Sequence, residues 1–414
     1  MAEERSRVFI GRDADMKILF VHEKLGAFGG AEANVLVTGR EFKRRGHTVG
    51  LLHGQPSGQG EADWLQTFSP VHSYEKNATT ATQEVLWQFE PDVIFVHKLP
   101  QLEVIEALVA SGIPVVRMIH DHDLCCMRSY KYFVFNRRIC QRPLSPFCMV
   151  PCGAFLKRQR GKLFPFRWVS YTSKRREMEL NRHFQRLIVA TRYMKDEMLR
   201  NRFDPQKIDV LPPATQSPGH LPSASFTNRN LIVYAGQVIR GKGVDVLLQS
   251  LAKVQTPFEC VILGDGNHRL YCQALSRKLN IADRVHFPGF LPQEQLVEYY
   301  REASVAVVSS VWPEPCGAVG LEAMRYALPV VGFDAGGIRE WLISGYNGYL
   351  VPWMDTDAFA KRVEELLLNK KFAREMGERG LRLVDNRFNF SAYMSSLEAI
   401  LKEVVDEARE RVAA

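Results

Sequence analysis

With 414 residues, the chain exceeds a single hydrophobic core and is expected to form two domains of roughly 150 to 200 residues each. No run approaches the ~18 consecutive apolar residues of a membrane span, so no spanning helix is expected. The formal charge of +8 favours anionic partners, and nucleic acid, anionic lipid and nucleotide ligands all satisfy it on charge alone.

The N-terminal MAEERSRVFIGRDAD is charged and lacks an apolar signal core, so the protein is expected to stay in the cytoplasm. Its eight cysteines are then expected as thiols or metal ligands rather than disulfides. From Met16, KILFVH reads as a buried strand, GAFGGAE as a glycine loop, and Ala31 to Arg45 as a helix closed by Gly46. HTVGLLHG supplies a second strand. The loop lacks G-x-G-x-x-G and no acidic residue closes the second strand, which disfavours a dinucleotide fold of the dehydrogenase kind. Gly29 and Gly30 permit close approach of a ligand to the backbone, unless the turn merely needs glycine.

A helix from about Ala81 to Phe89, the strand PDVIFVH, a helix from Gln101 to Ala110 and the strand PVVRMIH follow. Alternating helices and apolar strands predict a parallel sheet covered on both faces. Ligands to such sheets bind at the carboxyl ends of strands, which singles out His97 and His120. For His97 an ordinary polar strand cap is the better reading, whereas His120 heads the unusual HDHDLCCMRSYKYF.

From about Asp121 to Tyr171 the pattern breaks. Cys125 or Cys126, with Cys140, Cys148 and Cys152, makes a set of four ending in C-x3-C. Four thiolates can close a structural zinc site or hold an iron-sulfur cluster, stapling a stretch poor in aliphatic residues; free thiols are the alternative. Between Lys157 and Arg186 ten Lys or Arg stand against Glu177 and Glu179, with Phe155, Phe164, Phe166, Trp168 and Tyr171 interleaved. That composition suits an anionic membrane surface or single-stranded nucleic acid, and also a plain solvated helix face. No nucleic-acid module is otherwise visible, so nucleic acid is not expected as a partner.

RLIVATRYMKDEMLRN resumes the fold as strand plus helix. KIDVLPPATQSPGHLPSASFTNRN then runs into a Pro/Ser/Asn stretch that marks a linker, with a boundary near Ser223. A second α/β series begins with LIVYAGQVIRGKG and continues through a helix from Val244 to Val254, FECVILG, the GDGN turn, a helix near His268 to Leu279, RVHFPGFLP, a helix from Gln293 to Glu302 and SVAVVSS.

Val311 to Glu340, VWPEPCGAVGLEAMRYALPVVGFDAGGIRE, comes next. It sets Glu314 and Glu322 on either side of a glycine-bearing helix start and ends a strand, Leu328 to Gly332, in Gly336 and Gly337. A strand, a Gly-rich turn and a helix N-terminus converge backbone N–H groups on an anion. Two carboxylates beside such a cradle would repel phosphate, so they are expected to accept hydrogen bonds from neutral hydroxyls. A nucleotide-linked sugar offers both groups. NGYLVP, helices over Thr356 to Lys370 and Phe372 to Leu383, and a last helix over Phe390 to Arg411 complete the chain. Two α/β halves leave a cleft in which ligands lodge.

These motifs resemble the glycosyltransferases of family four, in the glycogen-synthase-like superfamily of retaining enzymes. The resemblance covers roughly Lys17 to Phe388. It rests on Glu314 and Glu322 as E-x7-E within PEPCGAVGLEAM, followed by PVV and GG-x-x-E. GGAE, GKG at Gly241 to Gly243, GDG at Gly264 to Gly266 and NGYLVP stand in the family's order.

It implies an α/β GT-B fold, two Rossmann-like domains facing across a cleft: an acceptor-side domain over 1–223 with a Cys/Arg-rich insertion at 121–171, a nucleotide-sugar domain over 224–388, and a helix over 389–414 packing towards the first domain. By the same resemblance, Glu322 holds the ribose hydroxyls, and Glu314 and the amides of Cys316 and Gly317 face the sugar. Ala318 and Val319 amides meet the diphosphate with Lys242 and, from the other domain, the Gly29–Gly30 turn. The base sits against backbone in the loops near Phe290 and Gly266, Gly264 belongs to the same donor site, and His120 lies near the transferred sugar.

The implied reaction retains anomeric configuration and needs no catalytic metal or other cofactor. The implied partners are a nucleotide-diphosphate sugar and a glycan or lipid-linked acceptor of the cell envelope, with the protein peripheral on the inner face of the membrane. Relatives often carry Arg where Gln237 stands, and Arg240 is expected to take its place on the diphosphate. A non-catalytic sugar-nucleotide-binding scaffold or a GT-B-fold epimerase is the alternative.

Overall fold

The computed structural model describes residues 15–26, 29–150, 152–158, 166–214, 223–226 and 229–413, with only the backbone for 157, 158, 166, 167, 293 and 294. The charged N-terminal stretch 1–14, most of the Pro/Ser linker, and residues 159–165 of the basic run, Phe164 among them, lie outside the described residues.

Backbone contacts sort the chain into two units. One comprises 1–118, 183–186 and 399–414, the other 119–182 and 187–398. This differs from a division at 223. In the second unit the insertion is held by Arg137, whose guanidinium donates to both Asp245 carboxylate oxygens at 3.1 and 2.5 Å, and by buried Lys131, 3.0 Å from buried Glu197.

The first unit holds parallel strands β1 (Lys17–Leu25), β2 (Thr48–Pro56), β3 (Val71–Ser73), β4 (Val93–Val96) and β5 (Val115–Ile119) in the order β3-β2-β1-β4-β5. Ile18 to Val21 and Val93 to Val96 have no exposed surface, as a sheet covered on both faces requires. The short helix Glu61–Thr67 and β3 carry too little periodicity to stand out in sequence. His97 is core. It stacks on Phe20 at 5.7 Å and meets the edge of Phe95 at 4.4 Å.

The last helix, Phe390–Ala413, begins among residues of the second unit and from Ala399 onward belongs to the first. There it buries Leu401, Val404 and Val405. Arg409 reaches Asp92 at 2.8 Å, and Arg186 reaches Glu403 and Glu407 at 3.0 and 2.7 Å.

In the second unit the insertion forms an antiparallel pair, β6 (Leu156–Arg158) with β7 (Phe166–Trp168), and the pair β8 (Arg186–Val189) and β9 (Ile208–Val210) is parallel. The latter half of the basic run is a helix, Tyr171–Asn181, capped by Ser170 and carrying the pairs Lys174–Glu177 and Arg175–Glu179. A second sheet contains β10 (Leu231–Ala235), β11 (Glu259–Leu263), β12 (Val285–Gly289), β13 (Ala303–Val308), β14 (Val330–Phe333) and β15 (Gly348–Val351), in the order β12-β11-β10-β13-β14-β15. That is the doubly wound order, in which ligands meet the carboxyl ends of the strands where the winding reverses, here between β10 and β13. Among the described residues no helix is long and apolar enough to cross a membrane.

Candidate functional site

Two loops leave the sheet at that reversal, and hydrogen bonds join them. β10 leads to the turn Arg240–Lys242, and β13 leads to Ser309–Pro315. The amides of Val311 and Trp312 both donate to the Gly241 carbonyl, at 2.9 and 3.0 Å. The Ser309 hydroxyl donates to the Lys242 carbonyl at 2.9 Å.

This splice sets the Lys242 ammonium 2.7 Å from Glu314 Oε1 and 5.1 Å above the Trp312 ring. The same oxygen accepts the Trp312 indole N–H at 2.7 Å and a short bond from the Ser310 hydroxyl. Burial pushes the Glu314 carboxyl up, but Lys242 and these two donors outweigh it, and its pKa lies below the ordinary 4.5. Glu314 is therefore a buried, ionised carboxylate with a cation beside it.

The backbone around Glu314 is fixed carbonyl by carbonyl. Pro313 accepts the His122 Nε2–H at 2.9 Å, and Glu314 accepts the Gly337 amide at 2.7 Å. Pro315 accepts the Thr191 hydroxyl at 2.6 Å, and Cys316 accepts the Trp341 indole N–H at 2.7 Å. Gly336, at φ +71°, makes this possible, because a Cβ there would stand 2.4 Å from the Glu314 carbonyl oxygen. The paired glycines thus lock the Glu314 loop to the strand end after β14.

Past Gly317 the chain enters the helix Val319–Met324 through Ala318. The first amides of a helix have no intrahelical acceptor, so the Ala318 and Val319 amides stand where the sequence places an anion. Glu322 sits within this helix, half-buried. Burial, opposed by Arg325, lifts its carboxyl to about 7. The two glutamates are thus shifted in opposite directions, Glu314 below the ordinary carboxylate range and Glu322, in the helix, above it.

Other predicted residues fall less simply. His120 directly follows β5 and is partly exposed. Gly29 caps the helix Gly30–Arg44 in extended conformation, and a Cβ on Gly30 would meet nothing within 4 Å. Packing does not demand glycine at position 30, so that space is open to a ligand. At Gly264 and Gly266 added Cβ atoms would lie 1.9 Å from the Gly236 carbonyl oxygen and 2.4 Å from that of Val238. Those glycines let two turns touch backbone to backbone. Arg240 points at the insertion, its guanidinium making a short bond to the Val134 carbonyl.

Cys125 is fully buried, its thiol pushed up by burial, and lies beside His122 and Glu197. Cys126, Cys140, Cys148 and Cys152 are half-buried and free. The adjacent pair therefore faces two different environments. Sequence reasoning overlooked His122, Thr191 and Trp341, which grip the Glu314 loop; nothing in their local pattern signals a partner 191, 124 or 25 residues away.

Comparison with known proteins bears on the family and the fold. The family described as Glycosyltransferase Family 4 matches residues 28–216, and Glycosyl transferases group 1 matches 221–382. A similar protein is the N-acetyl-alpha-D-glucosaminyl L-malate synthase of Bacillus anthracis, 30% identical over 180 residues, 43% of this chain and 46% of that one. The alpha-D-kanosaminyltransferase of Streptomyces kanamyceticus is 28% identical over 180 residues, again 43% and 46%. The match thus spans less than half the length of these relatives. Among solved structures, HepE of Anabaena in complex with UDP and glucose superposes with a TM-score of 0.71 at 18% identity, over 94% of this chain and 100% of that one. Sucrose-phosphate synthase from Thermosynechococcus elongatus gives 0.72 at 18%, over 95% and 100%.

Proposed function

Because the chain belongs to glycosyltransferase family four and has the GT-B fold, we propose that it moves a sugar from a nucleoside diphosphate sugar to a hydroxyl of a cell-envelope glycan or lipid-linked acceptor. The transfer retains anomeric configuration and uses no catalytic metal. The observation that carries this reading is the Lys242–Glu314 pair, 2.7 Å apart at the mouth of the sheet reversal and beside a helix start.

The chemistry follows from those groups. The bond between the anomeric carbon and the phosphate oxygen breaks, and its electron pair leaves with the diphosphate. Negative charge grows there, and the Lys242 ammonium with the Ala318 and Val319 amides stabilises it. Arg240 joins them on exchanging the Val134 carbonyl for phosphate. The acceptor oxygen bonds to the anomeric carbon on the face the diphosphate leaves, and its proton passes to the departing phosphate oxygen. Glu314 orients the sugar hydroxyls, Glu322 accepts from the ribose, and His120 positions sugar and acceptor. HepE has been solved with UDP-glucose, which recommends a uridine diphosphate sugar as the first donor to try.

The insertion supports action at the cytoplasmic face of a membrane. Phe135, Phe147 and Trp168 are 91%, 62% and 67% exposed on the same stretch as the basic run, a combination suited to anionic lipid. Flotation with anionic and neutral vesicles tests this, and equal recovery from both removes it.

Incubation with uridine, guanosine and adenosine diphosphate sugars in the presence of chelator tests the transfer. Slow release of nucleoside diphosphate from one donor supports it, and proton NMR of the product with its acceptor reads the anomeric outcome. Binding without release identifies a scaffold, and a changed sugar on an intact nucleotide identifies an epimerase.

A further inference from the structure

Three donors converge on one oxygen of Glu314. Oε1 accepts from the Lys242 ammonium at 2.7 Å, from the Trp312 indole N–H at 2.7 Å and from the Ser310 hydroxyl by a short bond. Among the described residues no hydrogen bond is made to Oε2. An ionised carboxylate can accept at both oxygens, so Oε1 is crowded and Oε2 is the oxygen left to a substrate hydroxyl.

Trp312 touches both members of the Lys242–Glu314 pair. Its N–H is on the carboxylate, and the ammonium lies 5.1 Å from the centre of its ring. Indole donates and does not accept, so it competes with neither a carboxylate nor a phosphate for the lysine. Its face still attracts the cation through the ring quadrupole.

The splice between the two loops sets this side chain. The Trp312 amide donates to the Gly241 carbonyl at 3.0 Å. A Cβ on Gly241 would stand 3.3 Å from the indole Cγ and 3.4 Å from the Tyr132 ring, so glycine there leaves room for both rings. Tyr130 of the insertion also packs on the indole, with centroids 6.1 Å apart.

Trp341 offers a contrast. It is 1% exposed and gives its N–H to the Cys316 carbonyl, a bond that fixes the path of the backbone. Trp312 is half-buried and spends its N–H on a side chain. In the transfer proposed above, Lys242 must also serve the diphosphate. A carboxylate as buried as Glu314 is costly to leave uncompensated. When the ammonium turns to phosphate, the Trp312 and Ser310 donors stay on Oε1, and the ring keeps the cation close.

We propose that Trp312 is a positioning residue, a role that rests on the transfer proposed above. Its N–H holds Glu314 with Oε2 directed to the sugar, and its ring steadies Lys242 between carboxylate and diphosphate.

NMR of the full chain with isotopically labelled tryptophan reads the hold on Glu314 without turnover. The indole N–H signal that disappears in Trp312→Phe belongs to Trp312. It should move upfield in Glu314→Gln, where a neutral amide replaces the charged acceptor. In the wild type it should exchange with deuterium at least about tenfold more slowly than the indole of Trp87, which is 79% exposed. A signal unmoved by Glu314→Gln, or one exchanging as fast as that of Trp87, overturns the proposal.

Hydrolysis of UDP-glucose, and then of guanosine and adenosine diphosphate sugars, reads the positioning. Trp312→Phe keeps a ring and loses the N–H; it should lower kcat about tenfold with the donor KM within about threefold of wild type. Trp312→Leu loses both and should lower kcat about 100-fold, while Trp87→Phe changes neither constant. Unchanged kcat in Trp312→Phe, with only the melting temperature lowered, would confine Trp312 to packing and leave the transfer standing. Equal losses in Trp312→Phe and Trp312→Leu would remove the part given to the ring. Absence of hydrolysis by the wild type would instead overturn the transfer, and this role with it.

Discussion

Lys242 and Glu314 lie 72 residues apart in sequence and meet at 2.7 Å, with the carboxylate 4% exposed. The Lys242 ammonium helps hold the buried Glu314 carboxylate below its ordinary range. Lys242→Ala is expected to lower kcat/KM about 100- to 1,000-fold, by removing a cation that acts where leaving-group charge develops. It should also destabilise the fold by about 3 kcal/mol, because a buried carboxylate loses its counter-charge. Denaturant unfolding checks this, with Lys242→Met/Glu314→Gln recovering most of the loss. Equal destabilisation in single and double variants would count against the pairing.

Glu322 places function and stability in opposition. Its pKa of about 7 in the folded chain, against an ordinary 4.5, means that the folded state holds a proton the unfolded state has already lost. Stability is therefore unaffected below about pH 4.5, falls as pH rises from there to 7, and stays lowered above it, by about 3 kcal/mol at most. Glu322→Gln should match the wild type at pH 5 and exceed it at pH 8 in urea midpoint. Ribose hydroxyls favour the ionised carboxylate, so donor binding should tighten as pH rises from 6 to 8 and lose that dependence in the variant. Calorimetric titration at the two pH values reads it.

Arg240→Ala should raise the donor KM at least about tenfold while leaving kcat less affected, the mark of a group that binds phosphate throughout the reaction. Initial rates over a donor series check this. An unchanged KM with a lowered melting temperature would confine Arg240 to holding the Val134 loop.

Arg137 spends a forked pair on Asp245, and both are buried. Arg137→Ala leaves the buried Asp245 carboxylate without its forked cation, with His268 Nε2 3.8 Å away, and a loss of about 3 kcal/mol is expected. Limited proteolysis should cut first between 126 and 158. Unaltered cleavage there would show that other contacts carry the insertion.

The parallel sheets were legible because their strands are apolar on both faces, and the Glu314–Glu322 loop because few sequences set two acids around a glycine-bearing helix start. What stayed hidden is non-local. His122 reads as one of three polar residues after a strand, yet its Nε2–H holds the Pro313 carbonyl. Gly264 and Gly266 read as ligand glycines, and their structure shows backbone contact with the next turn. Phe372 to Leu383 read as a helix of its own extent, whereas Lys370–Arg387 is continuous, because propensity sets no firm end where polar residues continue the pattern. Division near Ser223 follows composition, while contacts assign 119–182 to the other unit, where Arg137 pairs with Asp245.

Arg409 meets Asp92 across 317 residues of chain, and that distance orders the protein's birth. The ribosome delivers residues in sequence, so β1 to β5 emerge long before the segment from Ala399 that packs with them. Until then Asp92, just ahead of β4, lacks the Arg409 partner it has in the folded chain, and Leu401, Val404 and Val405 have yet to be buried. In the second unit the strands β10 to β15 follow one another in sequence, although Arg137 must still wait for Asp245 and His122 for Pro313. The last helix therefore joins the first unit only after every strand of both sheets has been made.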